Sequence, residues 1–134
     1  MANPFSAYQK QSVTTMTSTE VLIKLYNELE KQIALAINKT ENNNFSDANL
    51  HYQKAQSAIG ILRESLDMSI DISKNLDSLY EYLNYTIIQA NIKKDVKQLK
   101  ESAVIVTELR DAFATISTMP KSEIDAQKAN LKRA

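Results

Sequence analysis

Residues 55–95, AQSAIGILRESLDMSIDISKNLDSLYEYLNYTIIQANIKKD, decide the fold, because two amphipathic helical patterns meet inside them. Ala55, Ile59, Leu62 and Leu66 recur at the spacing of one helix face. After a change of phase, Ile72, Leu76, Leu79, Tyr80, Leu83, Ile87 and Ala90 do the same. Both stripes need cover from other helices, which predicts the centre of a helical bundle. The back of the second helix should be polar on a bundle surface, yet Tyr85, Ile88 and Ile92 fall close together there, with Tyr82 at the margin. Such a strip either meets another helix of the same bundle or forms a docking groove, and spacing leaves both open.

No Gly or Pro marks the break between the two patterns. Ser69, Asp71 and Ser73 are candidate N-caps, so a tight turn is expected within residues 67–73, with one long helix as the alternative. The first of the two helices begins near Ser46 and carries Tyr52 on its apolar face. It holds the only glycine, Gly60, at a cost of about 1 kcal/mol relative to Ala, which close packing there would explain.

Upstream, Thr17 and Glu20 have capping-box spacing before the apolar series Leu22, Leu25, Tyr26, Leu29, Ile33, Ala36 and Ile37, the buried face of a first helix. Between these helices NKTENNN, residues 38–44, reads as a loop, since its side chains bond their own backbone. Residues 1–16 show no helical stripe and read either as a disordered terminus or as an N-terminal strap that docks its aromatics, Phe5 and Tyr8, on the bundle.

Downstream, the third helix should end near Asn91 and a fourth begin within residues 93–95. Its apolar face is broad. Val96, Leu99, Ala103, Val106 and Phe113 make one stripe, and Ile105, Leu109, Ala112 and Ile116 an adjoining one. Pro120 stops it, and residues 120–134 either form a short fifth helix through Ile124 and Leu131 or fray. The expected organisation is therefore an all-α, antiparallel four-helix bundle over residues 17–119, flanked by strap and tail.

Composition agrees with that class. One Gly and two Pro among 134 residues leave almost no punctuation for strands and hairpins. Sixteen basic side chains balance sixteen acidic ones, so no net field attracts nucleic acid or an anionic membrane. No segment approaches the ~20 apolar residues that span a bilayer, and the N-terminus lacks a signal-like apolar core. The expectation is a soluble, cytoplasmic protein without nucleic-acid or membrane partners.

Chemistry is equally sparse. The absence of Cys removes thiol catalysis and Cys-based metal sites, and the single His51 makes neither a metal site nor a catalytic triad. The Glu-x-x-His pairs of di-iron bundles and any glycine-rich phosphate loop are missing. A non-enzymatic protein without cofactor or metal is expected, with His51 solvated on a polar flank. Arg110 points into the first apolar stripe of helix four and needs a partner: either its stem covers apolar surface while its head reaches solvent or a bundle carboxylate, or it pairs with a bound peptide.

Several separated segments in register resemble the flagellin-specific flagellar secretion chaperones, the FliS family. NPFSAYQKQSV at residues 3–13 is similar to that family's Asn-Pro-Tyr-x-x-Tyr-Gln segment, and TSTEVLIKLYNE at 17–28 to its first-helix pattern. AQSAIGILRESLD, NLDSLYEYL, QANIKKD and ELRDAF follow its remaining landmarks in order. Phe5 replaces the usual Tyr, Thr19 a common Pro, and Phe113 a frequent Trp. Residues 68–70 replace a Gly-Gly turn, while Tyr85 and Thr86 stand where Arg is frequent, making that surface more apolar.

The resemblance implies an export chaperone that binds the disordered C-terminal segment of flagellin, blocks premature polymerisation and hands flagellin to the flagellar type III export gate. The partner surface is then expected on Tyr82, Tyr85, Ile88 and Ile92 of helix three and Ile105, Leu109, Ala112 and Ile116 of helix four. The strap residues Phe5 and Tyr8 would cover it in the free protein. A homo-oligomeric helical scaffold using the same spare faces is the alternative. A small-ligand bundle would have only Arg110, Tyr26 and Tyr80 as convergent polar groups and ranks last.

Overall fold

A computed structural model describes residues 18–117 as four helices, α1 (Ser18–Glu41), α2 (Phe45–Glu64), α3 (Asp71–Lys93) and α4 (Lys97–Ser117). The strap, the Thr17 cap, Pro120 and the tail lie outside these residues. The helices run antiparallel in sequence, as contacts near both ends of neighbouring pairs establish. Arg63 meets Asp77 at 2.8 Å and Asn91 meets Asn49 at 2.8 Å, joining α2 to α3. Lys100 meets Glu41 at 2.9 Å and Arg110 meets Glu30 at 2.6 Å, joining α4 to α1.

The predicted stripes form the core. Leu25, Leu29 and Ile33 of α1, Tyr52, Ile59 and Leu62 of α2, Leu83 and Ile87 of α3, and Leu99 and Val106 of α4 are all buried. Leu22, Leu66, Leu76, Leu79 and Phe113 pack against them half-buried. Tyr26 and Tyr80 lie at the centre with their hydroxyls hydrogen-bonded to each other, and Phe113 stacks on Tyr26 with ring centroids 5.5 Å apart. Burial, and for Tyr26 also the neighbouring Tyr80, pushes both phenols above their ordinary value, so both remain neutral hydrogen-bonding groups.

Several boundaries differ from expectation. The asparagine-rich loop is shorter, because α1 continues through Glu41 while the Thr40 hydroxyl bonds the Ala36 carbonyl at 2.7 Å. Asn43 takes the left-handed conformation at φ 58° and Asn44 caps α2, which starts at Phe45, next to the expected Ser46. These asparagines end one helix and begin the next without a longer loop.

The break in residues 67–73 is present and the single-helix alternative is absent, but the N-cap of α3 is Ile70, in extended backbone without a side-chain cap. Ser69 instead bonds Asp67 through its backbone N–H and hydroxyl, and Ser73 is buried inside the helix. A Cβ at Gly60 would meet nothing within 4 Å, so this glycine is not there for close packing.

Asn91 does not end α3. Its side chain is occupied with Asn49 and the helix proceeds to Lys93, where Lys94 at φ 54° turns the chain. The Lys94 ammonium lies 5.4 Å from the Tyr52 ring centroid and 5.6 Å from that of Phe45, which holds a non-glycine residue in this sparsely used conformation. Asp95 then accepts from the Lys97 N–H at 3.1 Å, and α4 begins at Lys97, later than residues 93–95.

Candidate functional site

The four seams between neighbouring helices are unequal. α1 packs most extensively on α2 and α4, whereas the seam between α3 and α4 is the slackest. Its two walls come from helix periodicity. On α4 the row Gln98, Ser102, Ile105, Leu109, Ala112 advances by three and four residues, so these positions share one flank. Lys100, Thr107 and Arg110 occupy the other flank and reach Glu41 and Glu30 of α1. The second apolar stripe of helix four is therefore the wall turned toward α3. Ile105, Leu109 and Ala112 are half-buried there. Ile116 continues the row in register, but its side chain lies outside the described residues.

On α3 the expected partner residues do not all share one place. Tyr82 and Tyr85 are 43% and 57% exposed and adjoin the seam. Gln98 donates from Nε2 to the Tyr82 hydroxyl at 3.4 Å, and Tyr85 lines an open cleft of about 110 Å³ together with Thr86, Gln89, Ala90, Lys93, Asp95 and Gln98. Ile92, 70% exposed, lies on the outer face beyond this cleft. Ile88 belongs to the row Asp77, Asn84, Ile88, Asn91, whose ends bond α2, and it is half-buried on that side. The apolar back of the helix is thus real, but it wraps around the cylinder instead of forming one wall.

Gln89 and Gln98 were not singled out by sequence reasoning, since polar residues at these spacings read as a solvated face, and Thr86 was marked only for standing where Arg is frequent. Thr86 is buried and its hydroxyl donates to the Tyr82 carbonyl at 3.0 Å. For Thr86 and Gln89 the signal that could have found them is their position one turn beyond Tyr82 and Tyr85 on the same helix flank, whereas Gln98 comes from α4 and no local signal marks it. Ser102, one turn beyond Gln98, is buried with its hydroxyl unpartnered.

The residues weighed for chemistry take structural roles. Arg110 pairs with Glu30 and with Asp111 at 3.1 Å, and both carboxylates raise its pKa further. Its partner is thus a bundle carboxylate. His51 is half-buried, with Nδ1 2.7 Å from Gln32 Oε1. Burial, then Lys54, Lys39 and Lys31, lowers its pKa, against the opposite pull of Asp47. Among the described residues no group of three or more His, Asp or Glu side chains is placed to hold a metal, and no helix is long and apolar enough to cross a membrane.

Comparison with known proteins adds an independent line. A family described as "Flagellar protein FliS" matches residues 1–120. The chain is 39% identical over 111 residues to the flagellar secretion chaperone FliS of Bacillus subtilis (strain 168), covering 83% of this chain and 84% of that one. It is 30% identical over 89 residues to the flagellar secretion chaperone FliSB of Pseudomonas aeruginosa, covering 65% and 71%. A shorter match to the flagellar secretion chaperone FliS of Vibrio cholerae is 40% identical over 65 residues, covering 47% and 48%.

Proposed function

The chain belongs to the FliS family of flagellar secretion chaperones, and from that premise we propose that it binds the disordered C-terminal segment of flagellin in the cytoplasm, keeps it from polymerising, and delivers it to the flagellar type III export gate. The observation that supports this reading most is the slack α3/α4 seam, walled by Ile105, Leu109 and Ala112 and rimmed by the exposed Tyr82 and Tyr85. An amphipathic segment can lay apolar side chains against the α4 row and cover the tyrosines, which is helix-in-groove recognition by a preformed surface. The guest bears the ordering cost, offset by contact along the length of two helices. Aromatic rings at the rim suit this task because they bring large contact area with few torsions to freeze. Ile92 extends the surface outward and Ile88 supports its α2 edge.

No catalytic step is required of such a protein. Co-purification with full-length flagellin, and its loss when the flagellin C-terminal segment is removed, tests the proposal. Retention of the truncated flagellin would place the contact elsewhere. A homodimer in which this seam is shielded, with no flagellin bound, would favour the scaffold alternative.

A further inference from the structure

The α3/α4 seam is divided along its length. Its apolar wall of Ile105, Leu109 and Ala112 lies away from the 94–96 turn, whereas the cleft near that turn is polar. Gln89 of α3 and Gln98 of α4 both line this cleft, one from each helix, with Lys93 and Asp95 at its edge contributing opposite charges. The Asp95 carboxylate also accepts from the Lys97 N–H, so it is committed to starting α4. Two carboxamides supply donors and acceptors in the same small space without net charge, and among the described residues the one bond of either across the seam is the long 3.4 Å contact from Gln98 to Tyr82.

Resting on the export-chaperone reading, we infer that the turn end of the seam is a polar subsite in which Gln89 and Gln98 hold an uncharged amide of the bound segment, fixing where that segment sits. An apolar groove alone binds an amphipathic segment but tolerates sliding by a helical turn, because neighbouring apolar side chains resemble each other. A pair of amides at one end makes such a slip leave polar groups unsatisfied, so one register is preferred. A charged guest group meets one attraction and one repulsion in a cleft that carries both Lys93 and Asp95, whereas an uncharged amide is held by neither and depends on hydrogen bonds. An amide matches both glutamines at once. The guest amide is either an Asn or Gln side chain or a main-chain peptide group, and both present the same donor and acceptor.

The test uses the full chain and a synthetic peptide of the C-terminal segment of its own flagellin. Gln89→Leu and Gln98→Leu remove the hydrogen bonds with little change of size, and together they are expected to weaken binding at least tenfold with the thermal midpoint unchanged. Gln98→Ala, which cannot overfill the cleft, should weaken binding in the same direction. Replacing each Asn and Gln of the peptide by Leu then identifies the guest group. A position whose loss of affinity disappears in the Gln98→Leu background identifies a side-chain amide, and none doing so identifies the main chain. If the native protein binds the peptide and the double variant binds within twofold, the polar subsite is overturned while the chaperone reading stands. If the native protein fails to bind the peptide, both are overturned.

Discussion

The hydroxyls of Thr40 on α1 and Tyr52 on α2 meet at 2.8 Å inside the bundle, next to the turn that joins the two helices. Thr40 gives its only proton to the Ala36 carbonyl at 2.7 Å, so Tyr52 is the donor between them, and burial keeps that phenol protonated by raising its pKa. The chain of three groups carries α1 past Asn38 and fixes where α2 starts. Tyr52→Phe should cost about 0.5–1.5 kcal/mol, and Thr40→Val somewhat more, about 1–3 kcal/mol, because it strands the Tyr52 donor. Urea denaturation of both single variants and the double variant measures the coupling. Two neutral single variants would show that the pair contributes nothing.

That pair also shows where sequence reading stopped. The apolar stripes were legible because burial repeats every three or four residues, and Leu62, Leu83 and Val106 fall in the core for that reason. Thr40 was assigned to a loop because its neighbours are asparagines, and only a long-range partner, Tyr52, reverses that local preference. Lys94 is the same case. Lysine is not a residue that favours a left-handed turn, and a bond from its ammonium to Asn91 Oδ1 together with two rings of α2 holds it there. At the candidate site, periodicity identified which residues face outward but not which seam is slack, since that depends on how four helices share their surfaces. Ile88 was therefore grouped with Tyr85, although its row turns toward α2.

Leu62→Ala and Leu83→Ala should each lower stability by about 2–5 kcal/mol. Both side chains are fully buried, Leu83 in the middle of α3 and Leu62 in the last turn of α2, and the core packed around them limits collapse into the space left behind. Flagellin binding should fall only as far as the folded population falls. Chemical denaturation giving losses under about half a kcal/mol would be incompatible with a well-packed core at these positions.

His51 should make stability pH-dependent in one direction. Its pKa in the folded protein lies below the ordinary 6.5, through burial first and then Lys54, Lys39 and Lys31. The unfolded chain therefore takes up a proton near pH 6.5 that the folded protein refuses until lower pH. Stability attributable to His51 is present above 6.5 and declines as pH falls through that value toward the folded pKa. His51→Gln should flatten this part of the profile between neutral and mildly acidic pH. Since His51 is the only histidine, its ring resonances report the midpoint directly. A midpoint at or above 6.5 would contradict the assignment.

Tyr85→Glu should leave helicity and melting temperature near those of the native protein while weakening binding of the flagellin C-terminal segment by about 2 kcal/mol or more, the size expected of a hot-spot aromatic that the bound segment covers. Its 57% exposure is what permits the charge without unfolding. Ile88→Asp is a poorer probe, because Ile88 is half-buried against α2 and the substitution should lower stability as well. Unimpaired binding by Tyr85→Glu, measured by calorimetry, would remove this rim from the interface.

Deleting residues 1–16 should raise the affinity for the same segment. α1 begins at Ser18, and Tyr26, two turns in, stacks on Phe113 near the C-terminal end of α4, so the strap is attached at the end of the bundle where the apolar wall of the seam finishes. Sixteen residues reach about 50 Å when extended, whereas α4, at 21 residues, is about 31 Å long, so Phe5 and Tyr8 have length enough to compete for the seam. A tethered competitor acts at high effective concentration and still yields to a longer partner. The gain on deletion equals the reciprocal of the fraction of molecules open beforehand. Uncovering the seam should also promote self-association of the free protein. Titrating labelled flagellin peptide against the intact and truncated chains decides between competition and support. Equal or weaker binding after truncation would mean that the strap does not compete for this surface, and weaker binding that it contributes contacts to the complex.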